Sequence, residues 1–136
     1  MTTSKKIGVI IVSTFLVGMV IAGLWKRYLL THDFAYTTGT VTNITVRGYK
    51  SGGDYSILYE YVVMGKMYGS NNDYNYCHGQ SIAGLKVLLA GKQFPVAYAV
   101  KDPSTSTLLI TKKYADQFNY KLSDSARVYD SLLTCQ

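Results

Sequence analysis

A run of 19 residues without a charge, IGVIIVSTFLVGMVIAGLW at residues 7–25, constrains this chain more than any other feature. As a helix rising about 1.5 Å per residue, it spans close to the roughly 30 Å hydrocarbon core of a bilayer. Ile7 and Trp25 bound the run, Phe15 lies within it, and Ser13 and Thr14 can bond back to carbonyls of their own helix. Trp25 and Tyr28 stand where interfacial aromatics are enriched, with Lys26 and Arg27 among headgroups. The competing reading is a cleaved signal peptide, with Lys5-Lys6 as its basic region and Val20-x-Ala22 as its cleavage pattern. The run is long for a signal and ends in Trp-Lys-Arg, so a retained anchor over residues 1–28 is expected. A secreted β-domain left by cleavage is the alternative.

Charge is informative through its position. Four of the 14 basic residues, Lys5, Lys6, Lys26 and Arg27, flank the apolar run, and beyond Tyr28 ten basic residues face all eight acidic ones. The body of the protein is therefore close to neutral. That argues against a nucleic-acid partner, which needs Lys and Arg clustered on the folded part. The short basic segment ahead of the span favours the cytoplasm, which places residues 28–136 outside, as in a periplasmic domain on a bacterial inner membrane. Thr14, Gly18 and Ala22 recur every fourth residue and form a small-residue stripe through which two helices could approach.

Beyond a short connector at residues 29–36, the expectation is one β-rich domain over residues 37–136. Residues 37–47, TTGTVTNITVR, suit a strand with Thr40, Thr42, Ile44 and Val46 on one face. Residues 49–54 carry the Gly-Gly punctuation of a loop. Residues 55–63 alternate, with Tyr55, Ile57, Tyr59, Tyr61 and Val63 on one side. Met64-Gly65 then makes a tight turn into a third strand at residues 66–70. Residues 71–80, NNDYNYCHGQ, read as a polar loop, and residues 81–89 as one or two helical turns. A strand at 94–100, a Pro103 turn, a partner strand at 107–111 and a helical turn at 114–118 follow. Ser123 has the chemistry of a cap for a last helix through Leu133, with Ala126, Tyr129 and Leu133 on one face. The fold class is thus a transmembrane helix followed by a mainly-β antiparallel meander domain with a C-terminal helix.

These elements carry a pattern: Gly39-Thr40-Val41, then Tyr59-x-Tyr61, Gly65-Lys66-x-Tyr68, Phe94-Pro95-Val96-x-Tyr98, then Asp102-Pro103 and Leu108-Leu109. In this the chain resembles a widespread bacterial family of small membrane-anchored proteins classed as a domain of unknown function. Its members commonly carry Tyr-x-Pro-x-Asn-Pro at the last turn, where this chain has Val100 and Asp102. The resemblance implies a tethered small β-domain and assigns no catalytic residues.

Chemistry is sparse. His78 adjoins Cys77, but neighbours on an extended chain point opposite ways and make a poor nucleophile–base pair. Asp73, Cys77 and His78 offer at most three metal ligands without a recognised spacing. Gly52-Gly53 lacks the Lys-Ser/Thr and helix of a phosphate loop. No enzyme activity, cofactor, metal or small-molecule substrate is expected. Outside the cytoplasm, Cys77 and Cys135 could form a disulfide. Seven of the thirteen tyrosines fall between residues 49 and 76. The alternating ones suit a core, whereas Tyr74 and Tyr76 in the expected loop are candidates for partner binding.

The reading is a non-enzymatic single-span protein, in contact with membrane lipid, that presents a small β-domain to a protein partner. It would serve as an accessory subunit or an immunity-type protein. The alternative is a structural envelope protein that homodimerises through Gly18 and Ala22.

Overall fold

The apolar run lies within a 30-residue helix, α1 (Thr3–His32), in the computed structural model, which describes residues 3–47, 53–77 and 80–134. Every side chain from residue 7 to residue 28 is exposed. The segment Ile7–His32 is long and apolar enough to cross a membrane. Lipid, rather than protein, is the environment such an all-round apolar surface suits.

The stretch 29–36, expected as a connector, contains almost no loop. The helix continues through His32, only Asp33 intervenes, and the first strand begins at Phe34. Leu29 and Leu30 explain the continuation, because they have a surface to cover. Leu29 is buried, and Leu30 packs with Phe34 against Ala97, Leu109 and Phe118. Asp33 is fixed on both sides: its N–H donates to Leu29 at 3.0 Å, and its carbonyl accepts from Val100 N–H at 3.0 Å.

Five strands follow, β1 (Phe34–Arg47), β2 (Asp54–Val63), β3 (Lys66–Asn75), β4 (Gln93–Ala99) and β5 (Ser106–Leu108). They form one antiparallel sheet in the order β3-β2-β1-β4-β5. Helix α2 (Ile82–Leu89) links β3 to β4, while α3 (Lys112–Gln117) and α4 (Asp124–Leu133) complete the chain described. Ser81 caps α2 by accepting the Gly84 N–H at 3.1 Å. Ser123 occupies the cap position of α4 but shares a hydrogen bond with Ser125 instead. Asp130 ties α4 down by accepting the Lys112 N–H at 2.8 Å.

The inward face of β2 is the one expected: Tyr55, Ile57, Tyr59, Tyr61 and Val63 are buried, and Ser56 on the other face is buried with them. The five inward side chains pack with Phe94, Val96, Leu108 and Ile110, and Leu85, Leu89 and Leu133 cover them from the helices. Strand β1 departs from simple alternation. Its pairing with β2 slips between Val41 and Asn43, so Val41 and Ile44 both face the core and Thr42 turns outward. This β-bulge replaces the single Thr40-Thr42-Ile44-Val46 face expected, since one extra residue reverses the phase of everything after it. Gly39 sits where β1 is squeezed, for a Cβ there would lie 2.5 Å from Val96 Cγ2 and 3.3 Å from the Glu60 carbonyl.

Strand β3 is five residues longer than expected, since residues 71–75 pair with β2 rather than forming a loop. The reason is Asn72. Its Nδ2 donates to the Leu108 carbonyl at 3.0 Å, and its Oδ1 accepts the Leu108 N–H at 3.2 Å. Strands β3 and β5 are opposite edges of the sheet, so this one carboxamide joins them and the sheet curls until its edges meet. Tyr59 donates to Asn72 Oδ1 at 3.4 Å and shares a hydrogen bond with Ser106 at 2.9 Å. A buried group stripped of its partner costs about 1–3 kcal/mol. Asn72→Ala strips both main-chain groups of Leu108 and should destabilise the domain by roughly 2–4 kcal/mol, read by urea unfolding of the full chain in detergent. An unchanged midpoint would show that the edges close without this side chain.

Candidate interaction surface

Tyr74, expected in a loop as a partner-binding residue, is buried and belongs to the core. Its ring stacks on Tyr55 with centroids 5.6 Å apart, and its hydroxyl accepts from Asn72 at 3.3 Å. The correction follows from the longer β3, in which residues 72 and 74 share the inward face. Tyr76, just past the strand, remains 39% exposed. Cys77 is described, whereas Cys135 and His78 lie outside the described residues, so their pairings are not placed. Among the described residues, no three His, Cys, Asp or Glu side chains group as a metal would require.

The surface around Tyr76 is organised by Gln80. Its carbonyl accepts from the Tyr76 hydroxyl at 2.7 Å, and its Oε1 accepts the Cys77 N–H at 3.1 Å. Its Nε2 donates to the Leu132 carbonyl at 2.8 Å. One glutamine thus pins the end of β3 to the last turn of α4. Leu132 is 40% exposed beside it, and Val128, one turn earlier on the same face, is 60% exposed. Exposed Tyr76 is thus joined through Gln80 to the turn of α4 that carries exposed Leu132, with Val128 one turn away, a set of residues suited to protein contact. Tyr76 was visible in the sequence. The Ala126-Tyr129-Leu133 face expected of the last helix is the inward one, which leaves Val128 and Leu132 outside, but their place beside Tyr76 follows only from the fold.

A cleft of about 450 Å³ lies between α3 and α4, lined by Lys112, Asp116, Tyr120, Lys121, Arg127 and Asp130. Its charges are largely engaged with one another. Lys112 meets Asp116 at 2.9 Å, Arg127 meets Asp124 at 3.6 Å, and Asp130 holds the Lys112 N–H.

The motif residues prove to be structural. Gly39 permits the close approach of β1 to β4, and Val41 fills the core beside the bulge. Tyr59 reaches Ser106, and Tyr61 donates to the Pro103 carbonyl and stacks on Tyr68 at 5.7 Å. Asp102 does the turn work of the family's Asn, accepting from Ser104 at 2.5 Å and from Thr105 at 3.0 Å.

Fold and surface together define a small curled antiparallel β-domain, carried directly on an apolar helix of membrane-spanning length. The chain belongs to the DUF3592 family, a domain of unknown function, whose model matches residues 37–112. No curated protein and no solved structure matches it.

The buried tyrosines give the domain an alkaline limit. Burial pushes Tyr59 up to about 12, with the hydroxyls of Ser106 and Ser70 acting the other way. Burial likewise pushes Tyr55 to about 12, and Tyr74 well above the ordinary value. Between the unfolded value near 10 and the folded value the unfolded chain binds fewer protons, so stability falls as pH rises. The contribution is fully present below about pH 10 and is lost by about pH 12. Tyrosinate absorbance and circular dichroism should therefore change together above about pH 10. Ionisation of all tyrosines near their ordinary value with the fold intact would contradict this.

Proposed function

We propose that this is a non-enzymatic single-span membrane protein that presents its β-domain to a protein partner, as an accessory subunit or an immunity-type protein. The observation that carries the reading is the exposed Tyr76–Val128–Leu132 surface around Gln80. It stands at the end of the sheet opposite the helix, where a tethered domain is open to other proteins. The length of the apolar run and its Trp-Lys-Arg end support a retained anchor over signal cleavage. A bacterial inner membrane with the domain in the periplasm would allow a Cys77–Cys135 disulfide, and Gln80 brings the Cys77 segment to Leu132, three residues before Cys135 in the sequence.

Co-purification of the tagged full chain from native membranes in mild detergent tests the reading. Val128→Glu and Tyr76→Ala should each reduce recovery of a stoichiometric partner while leaving the melting temperature nearly unchanged. Equal recovery with both variants would exclude this surface.

Self-association is favoured by a separate observation. A shallow groove on α1, lined by Ile10, Thr14, Phe15, Gly18, Met19 and Ala22, follows the small-residue stripe. Gly18→Leu with Ala22→Leu should abolish a crosslinked dimer in membranes if this face is used, and persistence of the dimer would exclude it.

A further inference from the structure

The strand register sorts the features of the domain between its two ends. Phe34, where β1 leaves α1, pairs with Ala99 at the end of β4. Val63 pairs with Lys66 across the β2–β3 turn, and the Thr37 hydroxyl reaches the Val62 carbonyl at 3.2 Å. The start of β1, the β2–β3 hairpin tip and the β4–β5 turn therefore share the end from which α1 projects. Helix α2 and the Gln80 bracket occupy the other end.

The hairpin tip is apolar where water would favour polar residues. Met64 is 101% exposed, Met67 64% and Val62 48%, and Val62 stands directly opposite Met67 on the outer face. Val100, at the neighbouring turn, is 49% exposed. The turn itself sharpens the anomaly. Met64 and Gly65 have φ of 51° and 78°, the two-residue hairpin turn that strongly prefers Asn-Gly. A Met in the left-handed region is disfavoured by its backbone, and at full exposure it is disfavoured by water as well. Asn would relieve both. A conformationally disfavoured, fully exposed apolar side chain is the kind of outlier from which a contact can be inferred.

We propose that the tip of the β2–β3 hairpin, led by Met64 with Val62 and Met67, lies in the headgroup–acyl boundary of the bilayer that α1 spans. Depth is consistent with this. Asp102 in the β4–β5 turn is held below its ordinary value, first by the Ser104 hydroxyl, with the charge of Lys26 adding to it. The Val100 N–H donates to the Asp33 carbonyl just past α1 at 3.0 Å, so this turn stands beside the end of α1, where Lys26 is the first charge after the apolar run. The Tyr61 hydroxyl donates to the Pro103 carbonyl in that turn, which ties the last residues of β2 to the same end of the sheet. Lys66, whose Nζ lies 5.3 Å from the Tyr68 ring, and Lys101 join Lys26 and Arg27 as basic groups at this end. Asp33 and Asp102 also lie at this end, and the basic groups named outnumber them, which suits anionic headgroups.

The inference rests on α1 spanning the membrane, and one experiment separates the two. Trp25 is the sole tryptophan, so the native chain reports the span directly. The full chain is reconstituted into phosphatidylcholine–phosphatidylglycerol vesicles with or without brominated acyl chains. In a Trp25→Phe background, Met64→Trp or, free of turn strain, Met67→Trp should shift its emission to the blue and lose intensity to the brominated lipid. Val87→Trp, on α2 at the far end, should do neither. Quenched Trp25 with an unquenched, water-like tip at both positions would overturn the proposal and leave the tip free for a soluble protein. Unquenched native Trp25 would overturn the span, and the proposal with it.

Discussion

The carboxamide of Asn72 holds this domain closed. A small antiparallel sheet ends in two edges whose main-chain groups need partners, and an open edge invites pairing with other chains. Here β5 has only three residues, too few to form a full ladder with β3. Asn72 supplies one donor and one acceptor in the geometry of a peptide unit and satisfies Leu108 with both. Everything after β5 depends on that bond, because Leu109, Ile110, α3 and α4 are placed by where β5 ends. The tyrosines around it extend the same solution. Tyr59 and Tyr74 bring aromatic bulk to fill the curl, while their hydroxyls find Ser106 and Asn72. The interior is therefore more polar than its burial suggests, and it remains stable because those contacts are made.

Much of this was legible in the chain itself. The charge-free run specified the helix, the strict alternation of residues 55–63 specified β2, and Met64-Gly65 specified the turn between β2 and β3. Those signals are local, so they survive without tertiary context. The failures share the opposite character. Residues 71–75 have the composition of a loop, and only their ladder with β2 and the Asn72 contact to Leu108, 36 positions away, make a strand of them. The bulge at Thr42 is invisible because Thr and Val are equally at home on either face of a strand. Leu29 and Leu30 looked like the start of a connector until Phe118 and Leu109 were placed against them. The same division holds at the interaction surface. Tyr76 could be picked out as a loop aromatic and the inward face of α4 from Ala126, Tyr129 and Leu133, but that Val128 and Leu132 lie near Tyr76 became visible only in the fold.

The family pattern itself belongs to the architecture. Gly39, Val41, Tyr59, Tyr61, Gly65, Phe94 and Val96 are accounted for by close approach, core packing or turn conformation. The exposed apolar residues at the two ends of the sheet, Val62, Met64 and Met67 at one and Tyr76 at the other, fall outside it. A shared fold can thus carry different surfaces, and the function of one member need not follow from that of another.

The single residue between α1 and β1 gives the protein a fixed phase. Most tethered domains hang on slack chain and sample every heading above the bilayer. This one is geared to its helix through Asp33, Leu29 and Leu30. Each residue of an α-helix turns about 100° and rises about 1.5 Å. If α1 crosses a bilayer, whatever sets its rotation there, a neighbouring helix or the lipid alone, also sets the compass bearing of the sheet. Any protein approaching from the side meets the same face each time.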